Sequence, residues 1–112
     1  MNPQVVVQEQ LDAYNARDLA RFVALFAPDV KVYRPPVAEP KLQGREALAT
    51  HYASNRFNNA GLHAELLNRI VLGNKVFDHE RIHGVRPAPF EMVAVYEVLG
   101  GQIQTVFFFD PA

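Results

Sequence analysis

The chain has no cysteine and no tryptophan in its 112 residues. Without cysteine there are no disulfides, no thiolate nucleophile and no cysteine-ligated metal. There is also no surplus of one charge. Eleven lysines and arginines face 12 aspartates and glutamates, for a formal net charge of −1. Such a balance offers no global basic field to nucleic acid or to an anionic membrane surface, and neither is expected as a partner. No stretch approaches the ~20 apolar residues that span a bilayer. The opening Met1-Asn2-Pro3-Gln4 lacks the basic and apolar regions of a secretory signal, so the cytoplasm is the expected location. What is present fits a single globular domain over residues 1–112, with 49% hydrophobic and 21% charged residues.

The first half reads as helical. Asn2 can cap a helix that carries Pro3 at its first position, where a missing N–H costs nothing. Val7, Leu11 and Tyr14 then recur at helical spacing as one apolar stripe. Asp18 offers a second N-cap, with Leu19, Phe22, Val23 and Phe26 as the buried face of a short helix ending before Pro28. A third helix is expected from about Arg45 to Asn55. Between the second and third, Asp29 to Arg34 alternates as a strand does. Pro35, Pro36 and Pro40 then leave a loop or an edge strand from Val37 to Leu42.

The second half reads as four strands. His63 to Leu72 and Lys75 to His83 flank the turn pair Gly73-Asn74, and Phe90 to Leu99 and Gln102 to Phe109 flank Gly100-Gly101. This order predicts an α+β fold: a cone-shaped, cystatin-like roll in which three N-terminal helices pack on a curved antiparallel sheet and enclose a pocket. Apolar residues on both faces of the last strand predict that the outer sheet face is covered as well, through a homodimer.

Four segments carry a family resemblance: Tyr14 to Tyr33 (YNARDLARFVALFAPDVKVY), Gly44 to Tyr52 (GREALATHY), Gly73 to Gly84 (GNKVFDHERIHG) and Val98 to Asp110 (VLGGQIQTVFFFD). In this order they resemble the superfamily named after nuclear transport factor 2, in its SnoaL-like and ketosteroid-isomerase-like branch. That fold hosts isomerases, hydrolases, dehydratases, cyclases and non-catalytic binders, so the resemblance speaks to fold before activity. The isomerases' catalytic aspartate aligns with Arg34, which cannot accept a proton at neutral pH. Their oxyanion-stabilising tyrosine aligns with Gln10, one turn before Tyr14, and their protonated aspartate aligns with Ala94. Their third-helix tyrosine is kept as Tyr52. Against the epoxide-hydrolase-like members, Arg81 takes the arginine position, while His83 and Phe108 stand where two aspartates would be. Neither chemistry is implied as it stands.

Asp78-His79-Glu80-Arg81-Ile82-His83 is the densest polar run. On a strand it places Asp78 and Glu80 on one face and His79, Arg81 and His83 on the other. Which face turns inward is open, since a slip of one residue reverses the assignment. Glu80, Asp78 and His79 are the candidate proton-transfer groups, because a desolvated carboxyl can titrate near neutrality. The competing account of Glu80 is an ion pair with an arginine on a neighbouring strand or across a dimer interface. For ligand contact the candidates are Tyr14, Arg34, Tyr52, Tyr96 and Phe108, with Arg34 suited to an anionic group and Tyr52 to a hydrogen bond. Core packing is the competing account of the aromatics. No metal is expected, since His79 and His83 are too far apart on a strand to share one, and no cofactor is implied. The reading is a small-molecule binder for an apolar or amphipathic ligand. The alternative is an enzyme, of isomerase, hydrolase or dehydratase type, using acid–base chemistry on a small apolar substrate.

Overall fold

The computed structural model describes residues 2–111. Helix α1 (Pro3–Asn15) starts where Asn2 accepts a hydrogen bond from the Gln4 amide at 3.1 Å, with Pro3 in the first turn. Arg17 turns the chain with φ 53°, and Asp18 caps α2 (Leu19–Val23) through the Arg21 amide at 3.2 Å. Helix α2 is shorter than its apolar spacing suggests. Phe26 leaves the helix and opens β1 (Phe26–Tyr33), which runs through Pro28. After a short β2 (Leu42–Gln43) comes α3 (Arg45–Asn55), then β3 (His63–Leu72), β4 (Lys75–His83), β5 (Phe90–Leu99) and β6 (Gln102–Phe109). Gly73 alone has positive φ in the first hairpin, and Gly100 and Gly101 both have it in the second. These are the backbone states two-residue turns demand.

The sheet corrects the expected architecture. Its six strands run in the order β2-β1-β6-β5-β4-β3, and β1 lies parallel to β6. The sheet is therefore mixed, not antiparallel. It is also open: β2 and β3 are its two edges and do not meet, so there is no cone-shaped roll. The physical reason lies in the connection. The chain returns from β1 through β2, α3, the β3–β4 hairpin and β5 before β6 comes alongside, and such a long crossover permits parallel pairing. This pairing brings the ends of β1 and β6 to the same edge of the layer.

The helices cover one face of the sheet. Val6, Val7 and Leu11 of α1, Phe22 of α2 and Leu48 of α3 are buried against Val76, Ala94, Val98, Ile103 and Val106. Burying a side chain such as Phe22 stabilises by about 1.5–3 kcal/mol. Two bulges set which residues face this core. In β6, Ile103 and Val106 both turn inward because the register shifts opposite Glu97 and Val98. In β3 the register shifts between Leu66 and Asn68, so Leu67 is the extra residue and Arg69 comes to lie opposite Asp78. No helix among the described residues is long and apolar enough to cross a membrane.

Candidate functional site

A cavity of about 520 Å³ lies between the helices and the covered sheet face. Gln10, Leu11 and Tyr14 of α1 form one wall, and His51 and Tyr52 of α3 with Arg56 form another. The sheet contributes Glu80 and Ile82 from β4, Met92 and Tyr96 from β5, and Phe108 from β6. Alternation along β4 decides the register that the sequence leaves open. Val76, Asp78, Glu80 and Ile82 are buried, while His79, Arg81 and His83 lie on the far face.

The two inward carboxyls, two residues apart, meet different fates. Asp78 is fully buried and held by a bidentate pair from Arg69, with Nε to Oδ1 at 2.7 Å and Nη2 to Oδ2 at 2.9 Å. The third arm of that guanidinium reaches Gln8 Oε1 at 2.9 Å, which ties α1 to the sheet. Asp78 therefore sits beneath the cavity rather than in its lining. Glu80 lines the cavity and is 5% exposed. Burial pushes its carboxyl up to about 8, the Asp78 charge adds to the rise, and the Arg69 charge opposes it. At neutral pH it is mostly a neutral acid, able to donate one hydrogen bond and accept another.

Three tyrosine hydroxyls share the space. Burial raises Tyr14, with the Tyr52 charge adding to the effect, and pushes Tyr52 up to about 12. Tyr96 is raised by burial first and by the Glu80 and Asp78 charges next. All three remain neutral donors at any ordinary pH. The ring of Phe22 packs between Tyr14 at 6.1 Å and Tyr52 at 4.8 Å, which fixes both tyrosines. Beside them is the one side-chain polar atom among the described residues that is sealed from solvent without a partner, Gln10 Oε1. An unsatisfied buried acceptor costs about 1–3 kcal/mol unless something occupies it.

Arg34 follows β1 and pairs with Asp110, just beyond β6, at 3.1 Å. Both line the cavity, and the parallel β1–β6 pairing is what makes them neighbours. The Arg34 guanidinium also lies 5.1 Å from the centre of the Phe108 ring. His51 is held down in pKa, first by burial and then by the Arg56 and Arg34 charges.

Of the residues singled out from the sequence, Tyr14, Arg34, Tyr52, Tyr96, Phe108 and Glu80 are brought to this cavity. Asp78 lies under it. His79 points to the opposite face, where its Nε2 is 2.6 Å from Glu91 Oε1. Around it the outer face holds a ladder of polar pairs, with Arg81 between Glu65 and Glu91 at 3.4 and 3.5 Å and His83 on Glu65 at 3.2 Å. Gln10, Arg56 and Arg86 also line the cavity and Arg69 holds Asp78 beneath it, although none is among the candidates drawn from the sequence. The four-residue interval from Gln10 to Tyr14 is a signal that could have found the first. Arg69 had none, because its direction depends on the bulge at Leu67.

The sequence matches the SnoaL-like domain family over residues 7–106. No curated protein matches it significantly. Among solved structures, an uncharacterized cystatin fold protein from Novosphingobium aromaticivorans is similar at 23% identity, with 96% of this chain and 97% of that one covered and a TM-score of 0.85. A computationally designed 17-OHP binder is similar at 15% identity, covering 96% and 91%, with a TM-score of 0.84. A protein with a ketosteroid isomerase-like fold from Catenulispora acidiphila, in complex with trimethylamine, is 17% identical over 92% and 82%, with a TM-score of 0.73. At these identities the structures speak to the fold. The family match spans most of the chain and agrees with that fold: the protein belongs to the SnoaL-like domain family.

Proposed function

We propose that the protein binds a small, mostly apolar molecule carrying an oxygen that reaches Glu80. The observation that carries this reading is the pairing state of the cavity's polar groups. Among the described residues nothing bonds to the Glu80 carboxyl, which lines the cavity, and Gln10 Oε1 in the same wall is sealed from solvent without a donor. In a cavity walled by Leu11, Ile82, Met92 and aromatic rings, a few such groups orient a ligand while apolar contact supplies affinity. Tyr14, Tyr52, Tyr96, Phe108 and Arg34 are the other contact residues of this reading. The designed 17-OHP binder, of similar fold, supports the idea that such a frame accommodates a ligand of this character.

The test compares β-tetralone with tetralin, the same carbon skeleton without the oxygen. In amide NMR titrations both are expected to perturb residues of the cavity wall. Glu80→Leu is expected to weaken β-tetralone about 5- to 10-fold relative to tetralin, the worth of one hydrogen bond. No perturbation by either compound would overturn the reading.

A second reading, acid–base catalysis on such a molecule, rests on the same carboxyl. A group pushed up to about 8 can both give and take a proton near neutrality. Its signature would be hydrogen–deuterium exchange beside the β-tetralone carbonyl that is fast with the wild type and lost in Glu80→Gln. Equal exchange in both proteins would leave binding as the whole function.

We infer further that two copies pair through the outer sheet face. Phe77, Val93, Val95 and Phe107 lie half-buried there, with Tyr33 stacked on Phe107 at 5.2 Å and Phe109 42% exposed. Sedimentation at micromolar concentration is expected to give a dimer, and a monomer would rule this face out.

A further inference from the structure

The cavity has a chemical polarity from mouth to floor. Four cationic residues line it, Arg34, Lys41, Arg56 and Arg86, out of 11 lysines and arginines in a chain whose net charge is −1. Among the described residues, the only acids in its lining are Asp110 and Glu80. Asp110 is taken by Arg34. Glu80 carries little charge at neutral pH, since burial favours its protonated form. The cavity therefore holds positive charge in excess, and it sits at one end of the fold.

That end is defined by the topology. Arg34 follows β1, Lys41 precedes β2, Arg56 follows α3 and Arg86 lies between β4 and β5. Two of these cations are held in place by rings of the cavity wall. Arg86 lies 3.9 Å from the centre of the Phe90 ring and Arg34 lies 5.1 Å from that of Phe108. Arg56 donates one hydrogen bond to the Asn55 carbonyl at 3.0 Å and has no carboxylate partner among the described residues. Its charge is felt inside, since it acts on Tyr14, Tyr52 and His51. Placing like charges together destabilises a fold unless an anion answers them.

We propose that the ligand is an amphipathic organic monoanion, a carboxylic acid in the simplest case. Its carboxylate is held at the mouth by Arg56 and Arg34, and its apolar body runs inward toward Glu80 and the tyrosines. Asp110 within the rim disfavours a dianionic head. This inference rests on the ligand-binding reading above and names the class of ligand. Arginine suits the task because its planar fork can take both oxygens of a carboxylate.

The experiment measures naphthylacetate against naphthylacetamide by calorimetry, the two differing in charge and hardly in shape. The acid is expected to bind at least about 10-fold more tightly, which is ~1.4 kcal/mol. Added salt is expected to weaken the acid and to shrink that ratio. Arg56→Gln is expected to bring the ratio toward one, and Arg34→Gln provides a second variant should the first fold poorly. Equal affinities, or a ratio that salt does not move, would overturn the monoanion while leaving the binding reading intact. Failure of both compounds to bind would overturn both.

Discussion

The two faces of β4 handle charge in opposite ways. On the outer face, His79, Arg81 and His83 are exposed or half-exposed, and each faces an acid on a neighbouring strand, Glu91 or Glu65. On the inner face one carboxyl, Asp78, is paired in the buried core, and the other, Glu80, faces a cavity with no partner among the described residues. Outer polar groups are answered laterally and are well exposed in the single chain, so removing one is cheap there. Inner charges are answered locally or not at all. The difference shows where structure ends and a site begins. Asp78 is spent on holding the fold together, and Glu80 is left available.

The largest effect should come from breaking the inner pair. Arg69→Met leaves Asp78 buried without its cation and is expected to cost about 3–5 kcal/mol of stability in denaturant unfolding. It also removes the one positive charge that opposes the rise of Glu80. Glu91→Gln on the outer face removes partners of His79 and Arg81 and is expected to cost less than about 1 kcal/mol. Equal losses from the two variants would erase the distinction between the faces.

How far this contrast was legible in the sequence follows from its physical origin. The hairpins at Gly73-Asn74 and Gly100-Gly101 announce themselves because a two-residue turn needs residues tolerant of positive φ, and period-two alternation then fixes which residues share a face. Asp78 and Glu80 could thus be grouped together but not assigned inward, since alternation carries no sign. Helix α3 was equally readable, with Gly44 before it and Arg45 at its start. The β1–β6 pairing was not readable, because a parallel contact between distant segments leaves no local pattern. The bulge at Leu67 was hidden for a similar reason. One extra residue in β3 turns Arg69 toward Asp78 and so decides which carboxyl is paired. The cationic mouth is likewise assembled from the ends of elements that are far apart in sequence.

The titration of Glu80 couples the cavity to folding stability. Its carboxyl is raised from 4.5 to about 8 in the folded protein. As pH climbs through 4.5 the unfolded chain gives up this proton while the folded chain keeps it. Folding stability therefore falls by up to ~1.4 kcal/mol per pH unit over that window, and the loss levels off above the folded value. Below the window the penalty is absent. Glu80→Gln should flatten the slope.

The direct measurement is a carboxyl-carbon NMR titration of the wild type, with Glu80→Gln identifying the resonance by its disappearance. A midpoint near 8 is expected. A midpoint near the ordinary 4.5 would mean that Glu80 is solvated or paired, and would contradict the claim that this carboxyl is held neutral and facing the cavity.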